Sequence, residues 1–536
     1  MKNKGILKVV VATILVVALC TWIFPSASFN STLVEGERLQ AGIFDILSYP
    51  MVALTYFGYV VIYALVVGMF YGVANKIPAY QVLIDKIKKG FEGKELIFLS
   101  LVIILVAAIT SVTGLSFAMI FVFPFIASVV LAMGYNKLVA TSVTVGSVVA
   151  GLAGTTLGNS SVSYMNKILG VNIMDEMVSK VVVLLVFVII LVANVIMYAK
   201  KTKNSVVEAK VVVSNEEKTV VEEKESKKET KSEVKKASKT TTKKAVVSDS
   251  TKKKADDKKT SKTKKTTSKK STKALMAKNT SEVIKVNTKK DKKAKVWPFM
   301  LVFDLTLIIL ALSMFDWSGV FKIELFADMK EALYGFEIAS FPIFEKLFGT
   351  MQEFGSWSLN VEVPVLILIS TIILALVYRV KRSDFVDGIE QGVMKAIKPA
   401  IIMLLVYVVL ITCTYHPFQL VITKAIMGLT SGFNIVTMTI VAMISSIFNV
   451  DSIYVAQSTI PYVMSLVNDS ALYPLIGVMF QAIYGLMMLV APTSVILMGT
   501  LSYLEVPYTQ WLKHIWKVFV EVLVVLLIVF LIVMAI

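Results

Sequence analysis

The chain has 536 residues, 56% of them hydrophobic and 17% charged, with a mean hydropathy of +0.75 and a formal net charge of +18. A soluble domain averages about 25% charged residues, so this composition excludes one; two cysteines and two histidines exclude a disulfide framework and a histidine-rich metal centre. The basic excess is local: residues 201–296 hold 31 Lys against 13 acidic side chains, and the rest of the chain is balanced at 24 of each sign, which excludes a uniformly basic nucleic-acid-binding surface.

A bilayer core about 30 Å thick takes about 20 mostly apolar residues as helix. Membrane spans are predicted at 6–24, 51–73, 178–199, 298–315, 361–378, 399–415 and 515–536. The first run follows Lys2, Lys4 and Lys8 and reads as a retained helix rather than a cleaved signal peptide, given the spans behind it. Lys and Arg in short loops mark the cytoplasmic side. The N-terminus, loop 74–95, segment 201–296, loop 379–398 and Lys513/Lys517 are then inside. The acidic loops 25–50 and 316–360 are outside, and so is the C-terminus. These sides alternate consistently if regions 96–137 and 434–468 each return to the side they left.

Each of those regions has two apolar arms around a polar tip: Ser111-Val112-Thr113-Gly114 in the first, Phe448-Asn449-Val450-Asp451 in the second. Each leads into an apolar segment with a polar interruption, Gly154–Ser161 (GTTLGNSS) and Ala491-Pro492-Thr493-Ser494, and then into a final span. The unit of span, hairpin, broken helix and span therefore occurs twice, entering from opposite sides. The predicted fold is an all-α polytopic membrane protein of two inverted-topology repeats, 1–200 and 297–536, joined by a disordered cytoplasmic linker, 201–296. The plainer alternative makes every hairpin arm a full span.

Inverted repeats with discontinuous helices are the architecture of secondary transporters, whose sites lie at the repeat interface. Irregular backbone at membrane depth is tolerated only where protein covers it or a wet cavity adjoins it. A helix restarting after a break offers free N–H groups to an anion. The candidate substrate-binding residues are thus Thr155, Thr156, Gly158, Asn159, Ser160 and Ser161 in the first interruption, and Pro492, Thr493 and Ser494 in the second. Gln481 could face the same cavity. The ordinary alternative is that small residues let membrane helices pack closely. Asp451 is the lone charge of its region, and intramembrane acids are costly and often functional. With Thr113, Gly114, Asn449, Gln457 and Ser458 it forms a candidate hairpin-tip or ion-coupling set for Na⁺ or H⁺; if the arms are full spans, it is a loop residue.

At these motifs the sequence resembles a known group. AIYGLMMLVAPTSVILMGTLSYLEVPYTQWLK (482–513), with TWIFPSASF (21–29) and AGIFDILSYP (41–50), is similar to the YfcC-type, C4-dicarboxylate anaerobic carrier-like permeases of the ion-transporter superfamily. The resemblance implies an elevator-type secondary carrier in the plasma membrane, often a homodimer. Such a carrier moves carboxylates or amino acids with Na⁺, H⁺ or a counter-substrate, and is not an enzyme. Thr155–Ser161 and Pro492–Ser494 match its broken-helix motifs by position. No Arg or Lys stands within the apolar core to clamp a second carboxylate, so an amino acid or monocarboxylate fits as well as a dicarboxylate. A channel or an intramembrane enzyme is the alternative of another class; the latter lacks any cluster of catalytic acids or histidines.

Residues 201–296 are Lys-, Ser-, Thr- and Glu-rich with no Phe, Tyr or Trp, a composition that cannot bury a core. Their charge suits contact with anionic lipid headgroups, at about 1 kcal/mol per basic residue near the membrane. With no aromatic platform for bases they suit no specific nucleic acid. Deleting this segment while keeping the halves joined is expected to leave transport intact; lost flux with normal membrane insertion would show it to be more than a tether.

Overall fold

The computed structural model describes residues 4–157, 160–203, 294–315, 317–430 and 432–535. One compact unit comprises Met1–Ala199 together with Asp291–Ile536. The lysine-rich segment beyond Lys203 lies outside the described residues, and the linker expectation with it.

The first half runs through helix Lys4–Ile23, an antiparallel ribbon (Ala27–Asn30 with Thr32–Glu35), the long helix Ile43–Ala74 and the amphipathic Pro78–Gly90. A hairpin follows, Glu95–Thr113 and then Ala118–Ala132, and after it Lys137–Ala153, Ser160–Leu169 and Met177–Lys203. The second half opens with Trp297–Ser313, an excursion with the short helices Leu325–Tyr334 and Ile343–Phe348, and Glu362–Val377. It then repeats the order of the first: the long helix Arg382–Tyr415, the short Gln419–Met427 and a hairpin of Ile435–Phe448, Ser452–Ser458 and Ile460–Leu466. Tyr473–Met488, Val495–Leu504 and Tyr508–Ala535 complete it. Among the described residues seven helices are long and apolar enough to cross a membrane. The protein is all-α and polytopic.

The two long helices lie side by side and antiparallel. Tyr49 meets His416 through a 2.6 Å hydrogen bond, Phe57 stacks on Tyr407 at 4.2 Å between ring centroids, and Gly68 and Gly72 oppose Gly392 and Gly388. Both partners carry Gly-x-x-x-Gly, which lets helix backbones touch. A Cβ on Gly392 would stand 2.1 Å from the Gly68 carbonyl oxygen, and one on Gly72 2.0 Å from that of Gly388.

This contact corrects one sequence expectation. Residues 382–398 do not form a basic loop but extend the 399–415 span as one helix. Gly388, Gly392, Ala396 and Ala400 are buried at four-residue spacing while Asp384, Asp387 and Glu390 stay exposed. An amphipathic face made of small residues was hidden by the charges around it.

The first hairpin also turns later than expected. The helix continues through Ser111, Val112 and Thr113, and stops where Gly114 takes a left-handed φ of 67°. Ser and Thr are tolerated inside a helix when their hydroxyls bond back one turn, as Thr113 does to the Ile109 carbonyl at 2.6 Å. Its first arm, 19 residues, is long enough to cross a membrane. The second hairpin differs: its helices bend by 119° at Asn449–Asp451, the geometry of a broken span or a re-entrant loop.

The ribbon after the first helix reaches over the second half. Ala27 N–H donates to the Pro417 carbonyl at 2.6 Å, His416 Nδ1 lies 2.6 Å from the Leu39 carbonyl oxygen, and Lys424 pairs with Glu35 at 2.5 Å. Glu35 holds the Lys424 ammonium above its usual pKa.

Gly392→Leu is expected to lower the melting temperature of the purified protein sharply, since overpacking costs about 1–3 kcal/mol or more and here the obstacle is backbone. Gly90→Ala, where a Cβ meets nothing within 4 Å, serves as the control; equal melting of both variants would refute the crossing.

Candidate functional site

Pro, Gly and hydroxyl residues stop both core helices midway. Lys137–Ala153 contains a π-turn at Ser142–Gly146 and ends at Gly154, and the chain resumes helix at Ser160. Tyr473–Met488 ends ahead of Ala491-Pro492-Thr493, and the chain resumes at Val495 with Ser494 as N-cap, its Oγ accepting from Leu497 N–H at 3.3 Å. The two broken helices pack antiparallel. Gly485 lies against Ala153, where a Cβ would come within 2.5 Å of backbone, and Gln481 Nε2 donates to the Leu152 carbonyl at 2.7 Å. At the far end, Lys137 pairs with Glu505 at 3.7 Å.

Each break has its own caps. Ser111 Oγ donates to the Gly154 carbonyl at 2.6 Å, and Thr156 N–H donates to the Ser111 carbonyl at 2.9 Å, so the tip of the first hairpin holds the first break. Trp511 Nε1 donates to the Leu489 carbonyl at 2.9 Å and Tyr508 Oη to that of Val490 at 2.5 Å, so the final span holds the second. Tyr484 Oη donates to the Val450 carbonyl at 3.0 Å, tying the second hairpin tip to the second broken helix.

The candidate residues fall into two groups. The first break, the first hairpin tip, Gln481 and the second hairpin tip gather around residues 481–485. Thr155 is fully buried, its hydroxyl turned to the Leu152 carbonyl at 2.7 Å and 3.5 Å from Gln481 Nε2. Thr156 Oγ1 donates to the Ser111 carbonyl at 3.2 Å, while Thr113 and Gly114 end the first hairpin arm two and three residues beyond Ser111. Asn449 Nδ2 donates to the Ser445 carbonyl at 2.9 Å and to Ser458 Oγ at 3.2 Å, joining the hairpin arms. Asp451 caps Ser452–Ser458 through Ile453 N–H at 3.0 Å and lies within electrostatic reach of Tyr59, Tyr407, Tyr454 and Tyr484. Gln457 is exposed and reaches across the repeats to Tyr164 Oη at 3.1 Å.

The second group, Pro492, Thr493 and Ser494, sits further along its helix, and among the described residues no hydrogen bond joins it to the first break. Thr493 Oγ1 is buried with no partner, as are Gln481 Oε1 and Thr110 Oγ1. Gly158 and Asn159 lie outside the described residues. Ser160 and Ser161 open the helix Ser160–Leu169.

Tyr484, Tyr508 and Trp511 were not singled out from sequence. Tyr484 sits in an apolar run and Tyr508 and Trp511 in an amphipathic stretch, where aromatic residues are ordinary, and only the fold reveals the carbonyl each serves. Among the described residues no group of three His, Cys, Asp or Glu could hold a metal ion.

Two hairpins and two broken helices packed together in an apolar polytopic body are an arrangement found in membrane carriers. The family model described as the C4-dicarboxylate anaerobic carrier (DcuC) matches residues 4–248 and 252–535; the chain belongs to that family. Its members are secondary transporters and not enzymes, in keeping with the multi-pass helical body. No curated protein and no solved structure matches the chain.

Trp511→Phe removes the donor to the Leu489 carbonyl while keeping the ring. A buried acceptor left unpaired costs about 1–3 kcal/mol, so a lower unfolding temperature is expected; unchanged melting would remove this residue from the capping role.

Proposed function

We propose that the protein carries a small carboxylate-bearing metabolite across the plasma membrane by alternating access, with a C4-dicarboxylate as the first substrate to test and an amino acid as the second. The observation that supports it most is the placing of unpartnered buried polar atoms, Gln481 Oε1 and Thr493 Oγ1, beside the two breaks. A buried polar group without a partner is costly in an apolar body, and a bound substrate supplies the partner. The first break with the first hairpin tip, and Pro492–Ser494, are the two ends of the substrate path. Asp451 and the second hairpin tip, with Asn449 and Ser458, form the place for coupling Na⁺ or H⁺.

Lys4–Ile23, Ile43–Ala74, Glu362–Val377 and Arg382–Tyr415 pack on one another and the hairpins pack on the broken helices, with Val495–Leu504 of the second broken helix also packed against Arg382–Tyr415. The loop charges put the N-terminus inside and the C-terminus outside. A homodimer and contact of the lysine segment with anionic lipid belong to the same proposal.

The test is uptake of labelled C4-dicarboxylate into proteoliposomes. Thr155→Ala, Asn159→Ala, Thr493→Ala and Ser494→Ala are each expected to cut flux with the protein still folded; normal flux in all four would reject the site. Asp451→Asn is expected to abolish the response to an imposed Na⁺ or H⁺ gradient, and an unchanged response would move the coupling site elsewhere.

A further inference from the structure

Lys180 is the third polar feature beside the first break. It stands one turn into Met177–Lys203, yet it is only 8% exposed. It lines a cavity between the repeats with Thr155, Asn166 and Asp175 from its own half and Gly477 and Gln481 from the other. The cavity has room at its centre for one water-sized group, about 10 Å³. Gly477 keeps it open, since a Cβ there would come within 3.1 Å of Leu169 and 3.9 Å of Asn166 Oδ1.

The charge of Lys180 is only partly answered. Its Nζ donates to the Ile173 carbonyl at 2.7 Å, and among the described residues it closes no ion pair. The two nearby acids are engaged in the loop: Asp175 accepts from Asn172 N–H at 2.7 Å, and Glu176 accepts from Ser179 Oγ. An ammonium has three donors, so two remain. Asn166 Nδ2, more than nine-tenths buried, adds another donor with no partner. Opposite them, Gln481 has its Nε2 fixed on the Leu152 carbonyl, which leaves Oε1 as a buried acceptor without a donor.

We propose that this cavity is a binding subsite for one carboxylate of the substrate, held by Lys180 and Asn166, with Gln481 Oε1 accepting a hydrogen bond from a hydroxyl or ammonium on the adjacent carbon. A carboxylate oxygen fits the present opening, and the remainder of the ligand requires the cavity to widen. The subsite rests on the carrier function proposed above and refines it. It selects 2-hydroxy or 2-amino acids over the unsubstituted acid.

Two measurements on the full chain test it: thermal shift of the purified protein with succinate, L-malate and L-aspartate, and uptake of the same acids in proteoliposomes. L-Malate or L-aspartate is expected to stabilise the wild type more than succinate. Lys180→Met, which replaces a buried charge by an apolar chain of similar length and so is expected to fold, should raise KM about tenfold or more, the loss of a hydrogen bond to a charged group, with kcat little changed. Lys180→Arg should restore much of the affinity. Gln481→Met should erase the preference for the substituted acids. A wild type that none of the three acids stabilises overturns the subsite, as does a folded Lys180→Met with unchanged KM and shift. Binding that needs Lys180 without any flux would support the subsite and overturn the carrier function instead.

Discussion

A helix that breaks inside an apolar body releases carbonyl groups that water does not reach, and each must find a donor. That constraint organises the core of this protein. Ser111 caps Gly154, Tyr484 caps Val450, Tyr508 and Trp511 cap Val490 and Leu489, and from the long first helix Tyr63 and Tyr71 cap Ala118 and Phe121 at 2.6 and 2.7 Å. Each of these donors comes from a neighbouring element, so the breaks are held from outside as well as by their own residues, such as Thr155 on Leu152. Each interruption and the side chains that hold it form one structural unit.

The caps follow the repeat only in part. Both first arms end in a tip that touches the broken helix of the same half, but a serine makes the tie in one and a tyrosine in the other. Both breaks also lean on their own final span: Gly154 sits so close to Leu184 that a Cβ would come within 2.6 Å of its backbone, and Trp511 covers Leu489. Two halves of unequal sequence thus reach similar ends by different side chains. The difference leaves unpartnered Asn166 and Gln481 facing one another where the halves meet, and Thr493 at the second break.

Punctuation was legible in the sequence. Gly154, Pro492, Asn449 and Gly114 mark interruptions because each disfavours continued helix, and the loop charges order the halves. Three things were hidden. The helical start of Arg382–Tyr415 reads as a basic loop, since its buried face is only glycine and alanine. The apolar core reads as lacking a cation, since Lys180 stands at the margin of a span, where a lysine is ordinarily at the interface. The grouping of Thr155 with Gln481, and not with Thr493, depends on the offset of two antiparallel helices, which no local pattern encodes.

The paired Gly-x-x-x-Gly crossing has a mechanical consequence. Where side chains separate two helices, rotamer changes let one slide over the other by small steps. Gly68 and Gly72 meet Gly388 and Gly392 backbone to backbone, with no rotamers in between to absorb displacement. The two long helices are therefore riveted at that level, and any rearrangement that exposes the breaks to opposite sides must pivot about them. The chain leaves this pair at Asn75–Ile77 and at His416–Phe418, and the second of these is the one that the first half's ribbon and Leu39 already grip.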